Sequence, residues 1–225
     1  MVVAWSSGKD CALALHELRQ SPDRVVVGLL TTLTREFDRV SMHGVRRELL
    51  DRQALAAGLP LHVVEIPSPC PNEVYERAMG EAIAQLERAG VDEVAFGDLF
   101  LEDVRAYREA VLKGTGVTPI FPLWGRRTLE LAKEIPRLGF DARVVCLDPR
   151  KVPKELAGRR YDEAFLADLP EGVDPCGENG EFHTCVVAGP IFRRPIRVRT
   201  GPVVVRDGFV FADLLPEPEL PGPTP

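Results

Sequence analysis

The chain has 225 residues, of which 28 are Lys or Arg and 34 are Asp or Glu, so its formal net charge is −6. With 45% hydrophobic and 28% charged residues, its composition is that of an ordinary soluble globular protein. The length allows one or two domains with a substantial core. The acidic balance argues against a general nucleic-acid binder, which needs a basic footprint.

The sequence carries no signal of a membrane or secreted protein. Its apolar runs fall short of the roughly 18 residues that a membrane helix needs. Lys9 and Asp10 follow the first apolar residues too soon for the hydrophobic region of a signal peptide. The five cysteines are odd in number and form no CxxC pair, which disfavours a disulfide framework or a zinc site. These features predict a cytoplasmic protein.

Short apolar runs alternate with stretches of helical spacing through the first half of the chain. Such alternation is typical of a parallel sheet with helices on both faces. The predicted strands are Val2–Trp5, Val25–Leu30, Leu61–Ile66, Glu93–Leu99 and Thr118–Leu123. The predicted helices are Lys9–Arg19, Gly44–Ala57, a segment that begins with Asn72 as its N-cap and stops at Gly90, and Glu102–Lys113.

After Trp124 the pattern becomes a mixture of helices and short strands. The predicted elements are helices at Thr128–Leu138 and Lys154–Ala167, and strands at Ala142–Leu147, Arg197–Val198, Val203–Val205 and Phe209–Phe211. The last ten residues hold five prolines, which predicts a disordered tail. The sequence therefore predicts an α/β fold with a parallel-sheet domain at residues 1–125, a smaller α+β domain at 126–215 and a Pro-rich tail at 216–225.

The turn between the first predicted strand and the first predicted helix is a candidate anion site. It reads Ser6-Ser7-Gly8-Lys9-Asp10-Cys11. A helix N-terminus presents free backbone N–H groups and the positive end of the helix dipole, and the hydroxyls and Lys9 add donors. The loop thus predicts phosphate binding, with a plain helix cap as the simpler alternative. It is not a Walker A loop, because Asp10 follows Lys9 where that pattern has Ser or Thr.

The loop resembles the PP-loop of ATP pyrophosphatases, whose pattern is S-G-G-x-D-S. Ser7 stands where the pattern has Gly, and Cys11 stands where it ends in Ser. The first departure keeps a small residue. The second puts a weaker hydrogen-bond donor where a hydroxyl would meet phosphate.

A second motif packs two carboxylates, an amide, an imidazole and a hydroxyl into seven residues. It reads Asp174-Pro175-Cys176-Gly177-Glu178-Asn179-Gly180-Glu181-Phe182-His183-Thr184. Paired with the PP-loop, it resembles the diphthine–ammonia ligase family, whose signature C-G-E-N-G-E-F-H-T-F it matches through Thr184, with Cys185 in place of the aromatic residue. The run from Phe96 to Arg105 resembles the family's F-G-D-I-x-L-E-D-x-R. With Phe121-Pro122-Leu123-Trp124, the resemblance spans roughly residues 2–195.

The resemblance implies a HUP-type Rossmann-like domain that binds ATP, followed by a smaller domain that carries the signature. It implies an ATP-dependent ligase with Mg²⁺ as cofactor, which adenylates a carboxylate, releases pyrophosphate and transfers ammonia. In archaeal and eukaryotic relatives the carboxylate is diphthine, a modified histidine on translation elongation factor 2. All but five of the 28 basic residues are Arg, which indicates a GC-rich genome. In a bacterium the same chemistry would act on a corrinoid precursor of cobalamin or another small carboxylate.

The resemblance also implies three groups of site residues. Those expected to be catalytic are Lys9, Asp10, Glu178, Glu181 and His183, with Asp10 as the metal ligand. Those expected to bind ATP are Ser6, Ser7, Gly8, Lys9, Asp10, Cys11, Leu30, Thr31, Met42, His43, Gly97 and Asp98. Those expected at the substrate and ammonium site are Glu102, Arg105, Glu178, Asn179, Gly180, Glu181, His183 and Thr184.

Two other readings stay open at this point. PP-loops also serve tRNA modification, but thiolation usually needs a pair of catalytic cysteines, and the net charge of −6 disfavours tRNA. Arg193, Arg194, Arg197 and Arg199 would supply a local basic patch. The other reading is a nucleotide sensor without turnover, which the departure at Cys11 keeps open. A homodimer is compatible with the sequence.

Overall fold

The first sheet is built from parallel strands. The computed structural model describes residues 1–218, and its first six strands in chain order are β1 (Val2–Ala4), β2 (Gly28–Thr34), β3 (Arg39–Val40), β4 (Leu61–Ile66), β5 (Glu93–Ala95) and β6 (Thr118–Ile120). The parallel strands lie in the spatial order β4-β2-β1-β5-β6, and the short β3 pairs antiparallel with the end of β2. The strand order reverses beside β1, and open α/β sheets bind ligands at such a switch point.

Helices cover both faces of this sheet. Successive residues of a strand point to opposite faces, and the central strands are apolar at both, so each face needs a covering layer. The helices are α1 (Lys9–Gln20), α2 (Arg47–Ala57), α3 (Asn72–Arg88) and α4 (Glu102–Leu112). Val2, Leu30 and Val94 pack in a cluster with residues of α3 and α4. Val3 and Leu29 face the other way and pack in a cluster with α1 and α2.

A second, antiparallel sheet follows. Its elements are α5 (Thr128–Arg137), β7 (Asp141–Leu147), a single 3₁₀ turn (Lys154–Leu156), α6 (Glu163–Ala167), β8 (Phe182–Ala188), β9 (Val198–Arg206) and β10 (Phe209–Pro216). The strand order is β8-β7-β10-β9. Buried residues of this sheet, among them Val144 and Val186, belong to the same apolar cluster as α1 and α2. The two sheets therefore share one core with α1 between them, and the predicted α/β class is confirmed.

Several predicted element bounds are wrong for local physical reasons. The predicted helix Lys154–Ala167 is interrupted by Gly158, which has a positive φ of 82°, and α6 starts only after Asp162, whose carboxylate accepts the amide of Phe165. The predicted strand Val25–Leu30 lies later, at Gly28–Thr34, because the β-branched threonines extend it. Pro71 rather than Asn72 is the N-cap of α3.

The second unit also differs from its prediction in detail. The two short strands predicted around residues 198 and 203 are one strand, β9. Pro216 ends β10, and the amide of Glu217 donates to the carbonyl of Arg197 at 2.9 Å, so residues 216 and 217 are held by the second sheet. The rest of the predicted tail, from residue 219, lies outside the described residues. The predicted boundary at 125/126 falls in the connection between β6 and β7 and stays a prediction. Within residues 1–218, no helix is long and apolar enough to cross a membrane.

Asp213 on β10 joins the second sheet to the segment that enters α2. Its carboxylate accepts from the guanidinium groups of Arg39, at 3.0 Å, and Arg46, at 2.5 Å. Burial alone would raise the pKa of Asp213, but the two guanidinium groups outweigh it and hold this pKa below its ordinary value. The carboxylate thus stabilises the fold in its ionised form.

We predict that Asp213→Asn lowers the free energy of unfolding by about 1–2 kcal/mol at pH 7, because the two arginines lose their charged partner. A depressed carboxyl pKa contributes stability above the unfolded value of 3.8, and this contribution is lost as the pH falls through the folded value. Urea unfolding between pH 2.5 and 7 should therefore show a smaller acid-induced loss in the variant. Asp207→Asn, in the exposed β9–β10 turn, is the matched control. Equal pH dependence of Asp213→Asn and the wild type would contradict this role.

Candidate active site

A cavity of about 580 Å³ opens at the carboxyl end of the parallel sheet. Residues from both sheets line it, so neither unit forms it alone. From the predicted set, the lining includes Ser6, Gly8, Lys9, Asp10, Cys11, Leu30, Thr31, Met42, His43, Gly97, Asp98, Glu178, His183 and Thr184. Side chains at distant sequence positions thus meet where the fold predicts ligand binding.

The predicted phosphate loop, residues 6–11, connects β1 with the first turn of α1 and lines part of this cavity. Gly8 is the N-cap of α1 and has no side chain to accept the free amides of the first turn. The amide of Lys9 instead donates to the hydroxyl of Thr184 on β8, at 3.1 Å. The next amides of the first turn, at Asp10 and Cys11, have no acceptor within the helix. The helix N-terminus is therefore capped at one amide by the second unit and keeps further donors for an anion.

Lys9 is buried, with only 2% of its surface exposed. Its ammonium donates to the carboxylate of Asp10 at 2.8 Å and to the carbonyl of Cys176 at 2.5 Å, and it lies over the rings of Tyr161 and Phe182. Burial alone would lower the pKa of Lys9. The opposing effect of nearby groups, led by the Asp10 carboxylate, is larger, and the net pKa lies above the ordinary value. Lys9 is thus a fixed positive charge at neutral pH.

Cys11 occupies the last position of the loop pattern. Its thiol donates to the carbonyl of Gly8 at 3.1 Å, and the hydroxyl of Ser6 lies 3.6 Å from its sulfur. Burial raises the pKa of Cys11 to about 11, so the thiol stays protonated. Cys11 therefore acts as a neutral donor inside the loop.

Glu178 brings a carboxylate from the second motif to the cavity wall. Its Oε1 accepts the amide of Leu99 at 2.7 Å, beyond the end of β5. Burial raises the pKa of Glu178 to about 7, although the bond from Leu99 opposes the shift, and Asp10 adds to it. A carboxyl group with this pKa can both accept and release a proton near neutral pH.

Four residues of the motif, Asp174, Asn179, Gly180 and Glu181, shape the turn and are not among the residues that line the cavity. Glu181 is buried, and its Oε1 accepts from the amide of Asp174 at 3.3 Å and from the side chain of Asn179 at 3.2 Å. Asp174 in turn accepts the amide of Glu178 at 2.8 Å. Gly180 has a positive φ of 77°, which closes the turn. The predicted substrate roles of Asn179, Gly180 and Glu181 stay predictions.

His43, in the turn between β3 and α2, and His183, on β8, stack with each other at the cavity. The rings of His43 and His183 lie 4.3 Å apart at 30°. Burial lowers the pKa of His183 to about 4 and that of His43 well below its ordinary value, and the Lys9 charge lowers both further. Nδ1 of His43 is buried without a hydrogen-bond partner among residues 1–218. The pair is neutral at pH 7 and presents polar ring atoms to a ligand.

The carboxyl ends of β2 and β5 supply the remaining predicted residues. Thr31 is buried, and its hydroxyl has no hydrogen-bond partner within the described part of the chain. Met42 is 67% exposed at the cavity wall. Gly97 permits a close approach of protein rather than of a ligand alone, since a Cβ there would lie 2.9 Å from the backbone of Asp10 and Cys11.

Glu102 and Arg105 on α4 are not among the residues that line the cavity. Arg105 pairs with Glu109 at 2.8 Å. One turn later, Arg108 does line the cavity and holds Asp98 through two hydrogen bonds of 2.5 and 3.0 Å. Arg108 was not predicted, because it lies one turn beyond the run from Phe96 to Arg105 that resembles the family motif, and the sequence carries no separate signal for it.

Within residues 1–218, no group of three or more His, Cys, Asp or Glu side chains is arranged to bind a metal ion. Asp10, the predicted metal ligand, has one oxygen engaged by Lys9. A metal here would therefore need ligands from a bound phosphate, as Mg²⁺ commonly takes.

Comparisons with known proteins match most of this chain. Residues 1–119 match the family model described as the diphthamide synthase N-terminal domain, and residues 127–209 match that of the diphthamide synthase C-terminal domain. Among curated relatives, the diphthine–ammonia ligase of Rattus norvegicus is 27% identical over 79% of this chain and 72% of its own length. The enzyme of the same name from Homo sapiens is 26% identical over the same shares, and that from Danio rerio is 28% identical over 79% and 75%.

We predict that Thr184→Val lowers the free energy of unfolding by about 1–2 kcal/mol, because the amide of Lys9 then loses its cap in a buried place. Thr184→Ser keeps a hydroxyl and should cost clearly less. Urea denaturation at pH 7 measures both. If the Val and Ser variants were equally stable, the hydroxyl would not be the cap of α1.

Proposed function

This chain belongs to the diphthamide synthase family, and from that membership we propose that it is an ATP-dependent ligase that joins ammonia to a carboxylate. The observation that supports this most is the placement of Glu178. A carboxyl group with a pKa of about 7 faces the same cavity as a helix N-terminus with free amides and a fixed ammonium. An anion site and a proton acceptor thus share one space.

The residues present fit ATP. The first-turn amides of α1 and the charge of Lys9 suit the phosphates. The buried hydroxyl of Thr31 and Nδ1 of His43, which lack partners within residues 1–218, would each gain a hydrogen bond from a polar ligand. Asp10 would contribute to holding Mg²⁺ beside the phosphates. The remaining predicted ATP contacts, Leu30 and Met42, provide apolar surface near the end of β2.

When bound, ATP supplies the α-phosphate to which the substrate carboxylate bonds as pyrophosphate leaves, and ammonia then displaces AMP to form the amide. The protein provides position and charge. Lys9 and the α1 amides hold negative charge at the loop. Glu178 binds ammonium and accepts its proton, because its ionised form is available near pH 7. The paired signature residues Glu181 and Asn179 keep Glu178 in place by fixing the turn.

The proposed carboxylate is diphthine, which the names of the relatives give for those proteins. The family resemblance implies that diphthine is carried on translation elongation factor 2. Its alternative is a small carboxylate such as a corrinoid. The two are separated by supplying each with ATP, Mg²⁺ and ammonium and measuring AMP and pyrophosphate. Release of ADP in place of AMP would contradict the adenylation chemistry. ATP binding without cleavage for every carboxylate would favour a sensor.

We predict that Glu178→Gln lowers kcat by about 10²–10⁴-fold, as loss of a general base does. In the wild type, kcat/KM for ammonium should rise with pH and level off above about 7, because the raised pKa of Glu178 sets the ionised fraction of its carboxyl group. This rising limb of the pH profile should be absent in Glu178→Gln. Glu181→Gln is the comparison, expected to lower stability while the pH limb remains.

A wild-type rate that keeps rising tenfold per pH unit above pH 7 would mean that free ammonia, not Glu178, sets the profile. A retained limb in Glu178→Gln would also contradict the assignment. Carboxylates of the diphthine-bearing protein and of the corrinoid should give the same limb, since the group that titrates belongs to this chain.

We predict that Cys11→Ser changes the KM for ATP by no more than about threefold, because the thiol already acts as a neutral donor to Gly8 and a hydroxyl can replace it. Steady-state kinetics at saturating ammonium measures this. A gain of tenfold or more would show instead that Cys11 limits phosphate binding.

A further inference from the structure

Gln53 is a fully buried amide on the face of α2 that otherwise carries apolar residues. Its Oε1 accepts the indole N–H of Trp5 at 2.8 Å. Its Nε2 donates to two backbone carbonyls, that of Ser7 at 3.1 Å and that of Val186 at 2.7 Å. One side chain thus ties α2 to β1, to the phosphate loop and to β8.

Ser7, the target of one of these bonds, has an unfavourable backbone conformation. Its φ is +74°, a region that residues other than glycine rarely adopt. The PP-loop pattern has Gly at this position, which adopts a positive φ without steric cost. This chain therefore needs contacts that hold Ser7 in place. The carbonyl of Ser7 receives two, from Gln53 and from the amide of Val186 at 2.9 Å.

The direction of the Ser7 carbonyl also sets the direction of the next amide. The peptide bond between Ser7 and Gly8 is planar and trans, so its C=O and N–H point in opposite directions. Donors from Gln53 and Val186 hold the carbonyl toward the interior. The amide of Gly8 is thereby turned toward the cavity that Gly8 lines.

We infer that Gln53 is a positioning residue that holds the phosphate loop in its anion-binding conformation and thereby compensates for Ser7 at a glycine position. Gln53 does not line the cavity, and it acts through Ser7 and Gly8. The inference rests on the proposed function in taking ATP as the anion. Its structural part, the coupling of Gln53 to Ser7, is independent of ATP.

The test is a double-mutant cycle of Gln53→Leu and Ser7→Gly, read out by ATP binding and by urea unfolding. Gln53→Leu should weaken ATP binding about tenfold and raise its KM more than it lowers kcat, because the loop is less often in the binding conformation. Ser7 was predicted to bind ATP, but it is fully buried and is not among the residues that line the cavity. Ser7→Gly alone should therefore change ATP binding by less than about threefold, since Gly tolerates the same φ. The double variant should recover most of the affinity.

Two controls separate positioning from general destabilisation. Gln85→Leu makes the same chemical change at an exposed site on α3 and should alter neither measurement. Leu86→Ala removes a buried side chain from the opposite face of the sheet and should lower stability without changing ATP affinity. Gln53→Asn, which keeps an amide, should retain part of the affinity that Gln53→Leu loses.

The inference is overturned if folded Gln53→Leu binds ATP as the wild type does, or if Ser7→Gly restores neither affinity nor unfolding free energy in the Gln53→Leu background. If the wild type itself failed to bind ATP, the proposed function would fall. The unfolding cycle would still decide the coupling, because Ser7→Gly should stabilise the wild type, in which Gln53 holds the strained φ, more than the Gln53→Leu protein, in which Ser7 can relax. Equal effects of Ser7→Gly in the two backgrounds would overturn the coupling.

Discussion

The N-terminus of α1 lacks a cap of its own, and the arrangement of the protein follows from how that need is met. Gly8 offers no side chain, so the hydroxyl of Thr184 accepts the amide of Lys9 from 175 positions away. Val186, which lies in the same strand as Thr184, donates its amide to the carbonyl of Ser7. The carbonyl of Cys176 accepts a hydrogen bond from the Lys9 ammonium. The second sheet and the turn that precedes β8 therefore supply hydrogen-bond partners to Ser7 and Lys9.

The same docking explains where the charges lie. Placing β8 against α1 buries Lys9 beneath Tyr161 and Phe182 and brings Glu178 and His183 to the cavity wall. The low-polarity surroundings raise the pKa of Glu178 and lower those of the two histidines. The proposed anion binding and the proposed proton transfer near pH 7 thus both depend on one contact between two sheets, and the two sheets share the core under that contact.

The sequence predicted the fold class and the two motifs well, because a strand buried on both faces and a Gly-rich turn are local signals. It predicted that Glu178 and His183 would belong to the site, but the same pattern could not separate Glu178 from Glu181, since three residues of spacing do not reveal which carboxylate a turn faces inward. The sequence did not predict a role for Gln53, although it is a polar residue among the apolar Leu49, Leu50, Ala54 and Ala57. Its partners, Trp5, Ser7 and Val186, become neighbours only in three dimensions.

A crystal structure with α,β-methylene ATP, which cannot be cleaved between the α and β positions, would show whether one cavity lined by both sheets holds the phosphates beside the reacting carboxylate. We expect phosphate oxygens at the amides of Gly8, Asp10 and Cys11, with the hydroxyl of Thr184 still on the amide of Lys9 and Glu178 facing the α-phosphate. Phosphates bound away from the start of α1, or bound there with β8 displaced from the loop, would contradict it.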